Sequence, residues 1–338
     1  MGRATQEVLT PDELTAVFET HQRPRAYIGF EPSGRLTIGH LVTAHKMRDL
    51  VEAGCDLTVF LADWHAWIND KLGGDLARIR AAGEYMRAAF TALGVDAEKA
   101  RYRWASDLTD RSAYWARVIR VAKATSLART KRAMTIMGRT EEEANVDSAK
   151  LFYPAMQAAD IFELPVEIAY AGIDQRRAHV LARETAHHYH WPVPLAVHTP
   201  LISSLKGGGR MDPETMGVER KMSKSDPTSS ITIPSPPEVI RERLASAFCP
   251  AKELDANPVA ELAQFVVFPY EGRLVIERPA KYGGALAFET SAAFAEAYRA
   301  GQVHPQDLKG AVTEALIRIL APASAYFRDH PEAMPVGF

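Results

Sequence analysis

Two short segments of the sequence carry residues suited to binding a polyphosphate. The first phosphate segment, residues 27–40, runs from an apolar stretch through the letters EPSG to Gly39 and His40. Small residues at a turn let a ligand approach the backbone, and the free N–H groups at the following helix N-terminus attract an anion. Gly39 admits a flat ring close to the backbone, and His40 can donate a hydrogen bond to a phosphate oxygen.

The second phosphate segment, residues 221–225 with the letters KMSKS, lies in a region rich in Gly, Ser, Pro and charge that predicts a long loop over 202–237. Lys221 and Lys224 supply two ammonium groups, and Ser223 and Ser225 supply two hydroxyls. Such a loop can close over a polyphosphate and stabilise charge that develops in a transition state. Each segment alone is also compatible with chance or with a solvated basic turn. Together and in this order, they indicate one phosphate site.

The rest of the pattern predicts the elements that position these segments. Apolar stretches alternate with amphipathic ones over roughly the first 200 residues, which predicts an α/β domain with a mostly parallel sheet. Strands are expected at 26–30, 56–61, 101–104 and 165–171. Helices are expected at 38–52, 74–93 and 174–187, with one or two helices over 111–137, after a lead-in helix capped by Thr10. After residue 237 the pattern is mainly helical, at 238–249, 258–266, 290–300 and 305–321, with one strand signal at 274–278. The 338 residues therefore divide into two domains near residue 235.

Composition excludes several classes of protein. Hydrophobic residues make up 47% of the chain and charged residues 24%, which is ordinary for a globular protein with a sizeable core. No apolar run is long enough to span a membrane, and the first residues lack the apolar core of a signal peptide. Cys55 and Cys249 are far apart and are interpreted as free thiols of a cytoplasmic protein. A net charge of −2 argues against a basic coat for nucleic acid but leaves a local basic patch open.

The two phosphate segments resemble the signature motifs of class I aminoacyl-tRNA synthetases, and their surroundings resemble the archaeal-type tyrosyl-tRNA synthetases. The stretches that carry this likeness are AYIGFEPSG (26–34), LADWHAW (61–67), YPAMQAADI (153–161), GIDQRRAHVLARE (172–184) and HPQDLK (304–309). The likeness extends from about residue 10 to residue 321. It implies a homodimer with a Rossmann-type catalytic domain over 1–235, which includes an acceptor-stem and dimer insertion at about 111–150 and the loop 202–235. It also implies a helical anticodon-binding domain over 236–338.

The resemblance implies a reaction in two steps. Tyrosine and ATP first give tyrosyl-adenylate and pyrophosphate, and the tyrosyl group then moves to the 3′ end of tRNA(Tyr). The substrate carboxylate is the nucleophile, so catalysis rests on positioning and electrostatics without a general base. Mg²⁺ is expected with ATP, held mostly by the phosphates, and no tightly bound protein metal is expected. The residues implied for catalysis are His40, Thr37, Lys221 and Lys224, and those implied for ATP binding are Gly29, Gly39, His40, Met222, Ser223 and Ser225.

Thr37 departs from the family pattern because it stands where the first signature His is usual. A hydroxyl can donate to a phosphate oxygen but cannot carry charge. We therefore expect slower or differently tuned adenylate formation, which the second lysine of KMSKS, Lys224, partly offsets.

The resemblance also implies the residues that hold tyrosine. Tyr27 and Asp160 match the family's contacts to the phenol, and a site that pairs with a hydroxyl rejects phenylalanine, a principle for which this family is itself the standard example. Tyr153, Gln157 and Gln175 match the contacts to the α-amino group and supply the oxygen acceptors that an ammonium needs. The alternative for Asp160 is a solvated helix face or a helix cap, and the other three are also compatible with a core aromatic and surface amides.

Residues implied for tRNA lie in both domains. Arg129, Lys131 and Arg132 form a basic cluster where the family approaches the acceptor stem, although a solvated helix face is the alternative. In the second domain Tyr282 can stack on a base, and His304 and Asp307 match an anticodon contact, although Asp307 is also placed to cap a helix. The run of His and Tyr at 187–190 has no spaced partner, which favours a surface cluster over a metal site.

Three alternatives to a tyrosine–tRNA ligase remain at this point. The first is a paralogue that activates tyrosine or a tyrosine derivative for a non-translational acceptor, which Thr37 and the non-basic C-terminal residues favour. The second is the related tryptophan enzyme, which Tyr27 and Asp160 disfavour because an indole has no hydroxyl. The third is an inactive tRNA-binding module, which the presence of both phosphate segments disfavours.

Overall fold

The computed structural model describes residues 3–138, 147–207 and 229–335. The strands are β1 (Glu7–Leu9), β2 (Arg25–Phe30), β3 (Asp56–Leu61), β4 (Ala100–Trp104), β5 (Ile168–Gly172), β6 (Leu195–Thr199), β7 (Leu274–Ile276) and β8 (Leu286–Phe288). The helices of the first part are α1 (Pro11–Thr20), α2 (His40–Glu52), α3 (Asp63–Ile68), α4 (Leu76–Ala92), α5 (Ser106–Thr109), α6 (Ser112–Lys123), α7 (Leu127–Ala133), α8 (Ser148–Glu163) and α9 (Arg176–Tyr189). Those of the second part are α10 (Pro237–Ser246), α11 (Pro258–Leu262), α12 (Phe268–Glu271), α13 (Ser291–Arg299) and α14 (Pro305–Asp329).

A six-stranded sheet organises the first part of the chain. Its strand order is β1-β6-β5-β2-β3-β4, and only β1, at one edge, runs antiparallel to its neighbour. The five parallel strands have the order of a Rossmann-type sheet, which confirms the expected fold class. The strand order reverses between β2 and β5. In such sheets ligands bind beyond the carboxyl ends of the strands at this switch point.

Local sequence signals explain where the elements begin. Thr10 caps α1 by accepting from the backbone of Glu13, and the Glu13 side chain accepts from the backbone of Thr10 in return. Asp75 caps α4 in the same position, through the backbone of Ala77 and Arg78. The central strands carry almost continuous apolar residues because helices cover both faces of the sheet.

The second part is mainly helical, as expected, and carries the small antiparallel pair β7 and β8. Its long helix α14 shares one apolar core with the sheet, since Leu57 and Val59 of β3 belong to the same buried cluster as Leu316 and Leu320. Within the described ranges, no helix combines the length and the apolar character that a membrane span requires. The division at residue 235 stays a prediction.

Several elements differ from the sequence prediction. The strand expected from 165 begins at Ile168, and the helix expected from 174 begins at Arg176, after a 3₁₀ turn, Ile173–Gln175. The stretch 111–137 forms two helices, α6 and α7, which agrees with the expectation of one or two, but it ends in a 3₁₀ turn, Met134–Met137. The helix expected to end at 321 continues to Asp329. The π-helix Ala263–Val267 continues directly from α11.

Candidate active site

Tyr27 lies at the centre of the switch point, on β2. Its side chain is buried, with the whole residue 2% exposed, and its ring packs against Phe60 with ring centroids 5.9 Å apart. Its hydroxyl lies over Gly29, where an added Cβ would stand only 2.5 Å from that oxygen, so Gly29 provides space for the Tyr27 side chain. Burial, and then the charge of Asp160, raise the pKa of Tyr27 well above its ordinary value. The phenol therefore stays neutral and remains a hydrogen-bond donor.

Asp160 lies inside α8, and only 1% of the residue is exposed. Tyr114 donates its hydroxyl hydrogen to one carboxylate oxygen of Asp160 at 2.9 Å, and Nε2 of His65 lies 3.1 Å from the other oxygen. A solvated face or a helix cap is therefore wrong for this residue. Burial in a pocket with a tyrosine donor and an imidazole makes Asp160 an acceptor for one further hydroxyl.

His65 lies beside the buried carboxyl group of Asp160, with Nε2 3.1 Å from one of its oxygens. Burial lowers the pKa of His65, but the charges of Asp160, Glu31 and Asp63 outweigh that effect and keep the pKa above its ordinary value. The neighbouring carboxyl groups thus stabilise the protonated imidazole relative to its stability in water. No pattern in the sequence indicates a role for His65 or Tyr114; His65 stands in a stretch that carries the family likeness, whereas Tyr114 stands in none.

Oxygen acceptors gather on the same side of α8. Tyr153 donates to a carboxylate oxygen of Glu31 at 2.7 Å, and the Asn69 amide donates to both oxygens of Glu31. Gln157 donates to the side-chain oxygen of Gln175 at 3.1 Å. The side-chain oxygen of Gln157 is buried and accepts no hydrogen bond from the part of the chain that is described. The structure therefore brings Tyr153, Gln157 and Gln175 together and adds Glu31, an anion that the sequence argument did not single out.

The first phosphate segment forms a loop in which Thr37 contacts His40. Gly39 precedes α2, and the backbone N–H of Thr37 donates to Nδ1 of His40 at 3.1 Å. An accepting Nδ1 leaves the ring hydrogen on Nε2, which suits a donor to phosphate. The Thr37 hydroxyl lies 3.2 Å from the same Nδ1, and the residue is 2% exposed. Thr37 thus contacts His40 in this structure.

The second phosphate segment, with Lys221, Met222, Ser223, Lys224 and Ser225, lies outside the described residues. The chain that follows it is described from residue 229 and pairs with the first phosphate segment. The backbone N–H of Ile38 donates to Ile231 at 2.9 Å, and that of Ile233 donates to Leu36 at 2.8 Å. Ile231 and Ile233, which follow the second phosphate segment, therefore lie beside the first phosphate segment.

The residues implied for tRNA lie on or beside other elements than those that carry the pocket residues. On α7, Arg129 pairs with Glu184 at 2.9 Å, while Lys131 and Arg132 are exposed. At the other end of the chain, His304 caps α14 by accepting from the backbone of Gln306 at 3.2 Å. Capping by Asp307 is thus wrong, since Asp307 stands in the first helical turn, half-buried.

Two further predicted features, Tyr282 and the histidine run at 187–190, lie at the ends of helical elements. Tyr282 ends the 3₁₀ turn Ala280–Tyr282. The histidine run at 187–190 is at the end of α9, where His188 packs edge-on against Tyr189. Over 3–138, 147–207 and 229–335, no group of three or more His, Cys, Asp or Glu side chains is arranged to hold a metal ion.

Comparison with known proteins agrees with this geometry. Residues 19–321 match the family model described as tRNA synthetases class I (W and Y). A curated protein named tyrosine–tRNA ligase from Aeropyrum pernix is 46% identical over 328 residues, which cover 95% of this chain and 90% of that protein.

Solved structures extend the similarity to the fold. Tyrosyl-tRNA synthetase from Pyrococcus horikoshii, complexed with L-tyrosine, superposes with a TM-score of 0.89 at 41% identity, covering 98% of this chain and 95% of that one. The enzyme from Archaeoglobus fulgidus, also complexed with L-tyrosine, gives 0.87 at 36% identity, with 96% of each chain covered.

Proposed function

The chain belongs to the class I tRNA synthetases of the tryptophan and tyrosine group, and from this membership we propose how its residues share the work of the reaction. Its activity is that of a tyrosine–tRNA ligase, which forms tyrosyl-adenylate from tyrosine and ATP and then esterifies tRNA. The observation that carries the assignment of tyrosine to the pocket is the buried Asp160, held by Tyr114 and His65 beside Tyr27.

Tyr27 and Asp160 recognise the phenol of the substrate. Asp160 accepts the hydrogen of the phenol, and the neutral Tyr27 donates to its oxygen. Phenylalanine would leave the Tyr27 hydroxyl and the further acceptor capacity of Asp160 without the partner that tyrosine supplies, and such a loss in a buried site is costly. An indole offers one N–H, which Asp160 can accept, but it has no oxygen to accept from the Tyr27 hydroxyl, so tryptophan satisfies only half of the site.

The acceptors around α8 bind the α-ammonium group. Tyr153, Gln157 and Gln175 present oxygens there, and the unpartnered oxygen of Gln157 offers an acceptor that needs no rearrangement. Glu31 adds a negative charge at hydrogen-bond distance from Tyr153. A cation is stabilised by such a set, whereas the substrate carboxylate is repelled from it and directed towards the phosphate segments.

Gly29, Gly39 and His40 approach ATP along the first phosphate segment, with Thr37 holding His40. Lys221, Lys224, Met222, Ser223 and Ser225 belong to the same ATP site on the strength of the family motif. The substrate is the magnesium complex of ATP, and the ion is bound mainly by phosphate oxygens. The residues described supply positioning and hydrogen bonds, so the carboxylate attacks the α-phosphate without a protein base.

Transfer RNA binds at two places. Lys131 and Arg132 are exposed on α7 and, with Arg129, contact the acceptor stem. Tyr282, His304 and Asp307 contact the anticodon, where the Asp307 carboxylate can accept hydrogen bonds from a guanine. Because the contacts to tRNA are confined to these two places, we expect the affinity for tRNA to decrease as the salt concentration rises.

The protein is a homodimer whose interface includes an exposed aromatic face. Trp67, Trp115 and Phe152 are 40%, 38% and 47% exposed and line a cleft of about 230 Å³ near the region 111–150. Exposed aromatic side chains in one patch are typical of protein interfaces. We further propose that the protein acts in the cytoplasm.

Aminoacylation of total tRNA with tyrosine, phenylalanine and tryptophan tests this function. We expect charging with tyrosine alone, together with tyrosine-dependent exchange of pyrophosphate into ATP. Exchange without charging of tRNA(Tyr) would instead indicate a non-translational acceptor. A folded protein that charges tRNA with none of the three amino acids would contradict the assignment.

A further inference from the structure

Tyr85 on α4 is a buried tyrosine that the substrate sites do not use. Only 1% of it is exposed, and its hydroxyl makes two hydrogen bonds to backbone. It accepts from the N–H of Leu36 at 3.1 Å and donates to the carbonyl of Ile233. Its ring packs against Phe327 of α14, with ring centroids 5.4 Å apart.

These two backbone groups lie on two separate stretches, one within the first phosphate segment and one following the second. Leu36 directly precedes Thr37 in the first phosphate segment, and Ile233 lies in the described chain that follows the second. The two stretches pair through the backbone hydrogen bonds of Ile38 to Ile231 and of Ile233 to Leu36, around an antiparallel bridge between Thr37 and Thr232. A pair this short is marginal by itself. The Tyr85 hydroxyl joins both stretches at one end of the pair.

We propose that Tyr85 is a positioning residue for adenylate formation, because its hydroxyl fixes the first phosphate segment in register with the chain at 231–233. The proposal rests on the ATP site described above. Since this reaction depends on positioning, a small displacement of Thr37 and His40 lowers the rate of the chemical step. The tyrosine pocket is formed by other elements, so tyrosine binding does not depend on Tyr85.

The variant Tyr85→Phe removes one oxygen and leaves Leu36 N–H and Ile233 C=O buried without this partner. We expect kcat for tyrosine-dependent ATP–pyrophosphate exchange to fall by about tenfold, which corresponds to a modest loss of positioning. The Kd for tyrosine, measured by calorimetry, should stay within about twofold because the pocket keeps its contacts.

Tyr298→Phe is the matched control. Tyr298 is also fully buried, and its hydroxyl donates to the carbonyl of Pro250 at 2.9 Å, but it lies in the second part of the chain. It should lower the unfolding midpoint as Tyr85→Phe does and leave kcat unchanged. If Tyr85→Phe does not fold, Tyr85→Met takes its place, since methionine adapts to irregular core space and supplies no hydroxyl.

The outcomes separate the proposal from the function on which it rests. A wild-type protein that binds tyrosine without any exchange activity overturns the proposed ATP site and the role of Tyr85 with it. With an active wild type, an unchanged kcat in the Tyr85 variant overturns the positioning role alone. Equal losses of kcat in both variants, or a parallel loss of tyrosine affinity, also overturn it because they indicate a general loss of stability.

Discussion

At the scale of single residues, the pocket depends on one buried carboxylate and its partners. Tyr114 donates to one oxygen of Asp160, and Nε2 of His65 lies 3.1 Å from the other. Burial, and then the charge of Asp160, raise the pKa of Tyr27. In so buried a position, 1% exposed, a hydrogen bond that a substrate hydroxyl donates to this carboxyl group is strong.

Replacing Asp160 with alanine tests this arrangement. We expect kcat/KM for tyrosine in the exchange reaction to fall by about 10- to 100-fold, because a charge-assisted hydrogen bond of about 1.5–3 kcal/mol is lost. Discrimination between tyrosine and phenylalanine should shrink in parallel. Glu163→Ala, on the same helix and paired with Arg117 at 3.1 Å, serves as the control with near-normal kinetics. An unchanged preference for tyrosine in the Asp160 variant would contradict its role.

The sequence allowed only part of this pocket to be predicted. Tyr27 and Asp160 were expected from the family likeness, and the structure places them together. His65, Tyr114 and Glu31 received no role because they come from separate elements, and no spacing along the chain indicates that these elements converge. Their function follows from contacts, which only the folded chain provides.

At the scale of elements, close packing decides which glycines are needed. Gly83 lies within α4, and a Cβ there would stand 2.3 Å from the ring of Trp104. Gly310 lies within α14, and a Cβ there would meet nothing within 4 Å. Comparing alanine replacements at the two positions therefore distinguishes the effect of helix propensity from that of steric conflict.

Alanine at these two positions should have opposite effects on the free energy of unfolding. Both replacements gain about 1 kcal/mol of helix propensity, but overpacking at Gly83 costs about 1–3 kcal/mol and outweighs the gain. Urea denaturation should show Gly83→Ala less stable, and Gly310→Ala more stable, than the parent protein. Equal stabilisation by both variants would mean that Trp104 moves aside at no cost.

Four strands of the large sheet were predicted close to their observed positions, whereas β1 and β6 were not predicted. The strand β3 was predicted with its exact bounds, because its six residues are β-rich and mostly buried. The strand β1 has only three residues, and β6 follows two prolines closely, so neither offered a clear pattern. Both strands form because they pair with neighbouring strands, and this pairing depends on the tertiary structure.

At the scale of the whole molecule, one charged cluster joins three distant parts of the chain. Asp49 on α2 contacts Arg3 at 2.6 Å and the fully buried Lys46 at 3.2 Å. The adjacent His45 contacts the carbonyl oxygen of Pro269 at 2.7 Å. The N-terminal residues, the helix that begins at His40 and the second part of the chain therefore meet at this cluster.

Low pH should weaken the contacts of Asp49 in this charged cluster. Burial by itself would raise the pKa of Asp49, but His45 and Lys46 outweigh burial and lower the pKa to about 2. A carboxyl with a lowered pKa stabilises the fold above its unfolded pKa of about 4, and this stabilisation is lost as the pH falls towards 2.

Asp49→Asn measures the contribution directly. At pH 7 the variant should lose about 3 kcal/mol of unfolding free energy, because Lys46 stays buried without its counter-charge. The difference from the parent protein, followed by urea denaturation, should shrink between pH 4 and pH 2. Glu314→Gln, which breaks an exposed pair with Arg241, should change stability by less than about 1 kcal/mol. A pH-independent difference would exclude the Asp49 charge as its cause.

The antiparallel edge strand β1 also has a consequence for solubility. Every residue of β6 is buried, and β1 occupies the hydrogen-bonding edge that β6 would otherwise present to solvent. An uncovered edge of this apolar character is a template for strands of other molecules. Loss of residues 3–10 would therefore expose the edge of β6, and strands of other molecules could pair with it. The first few residues thus protect the protein against aggregation.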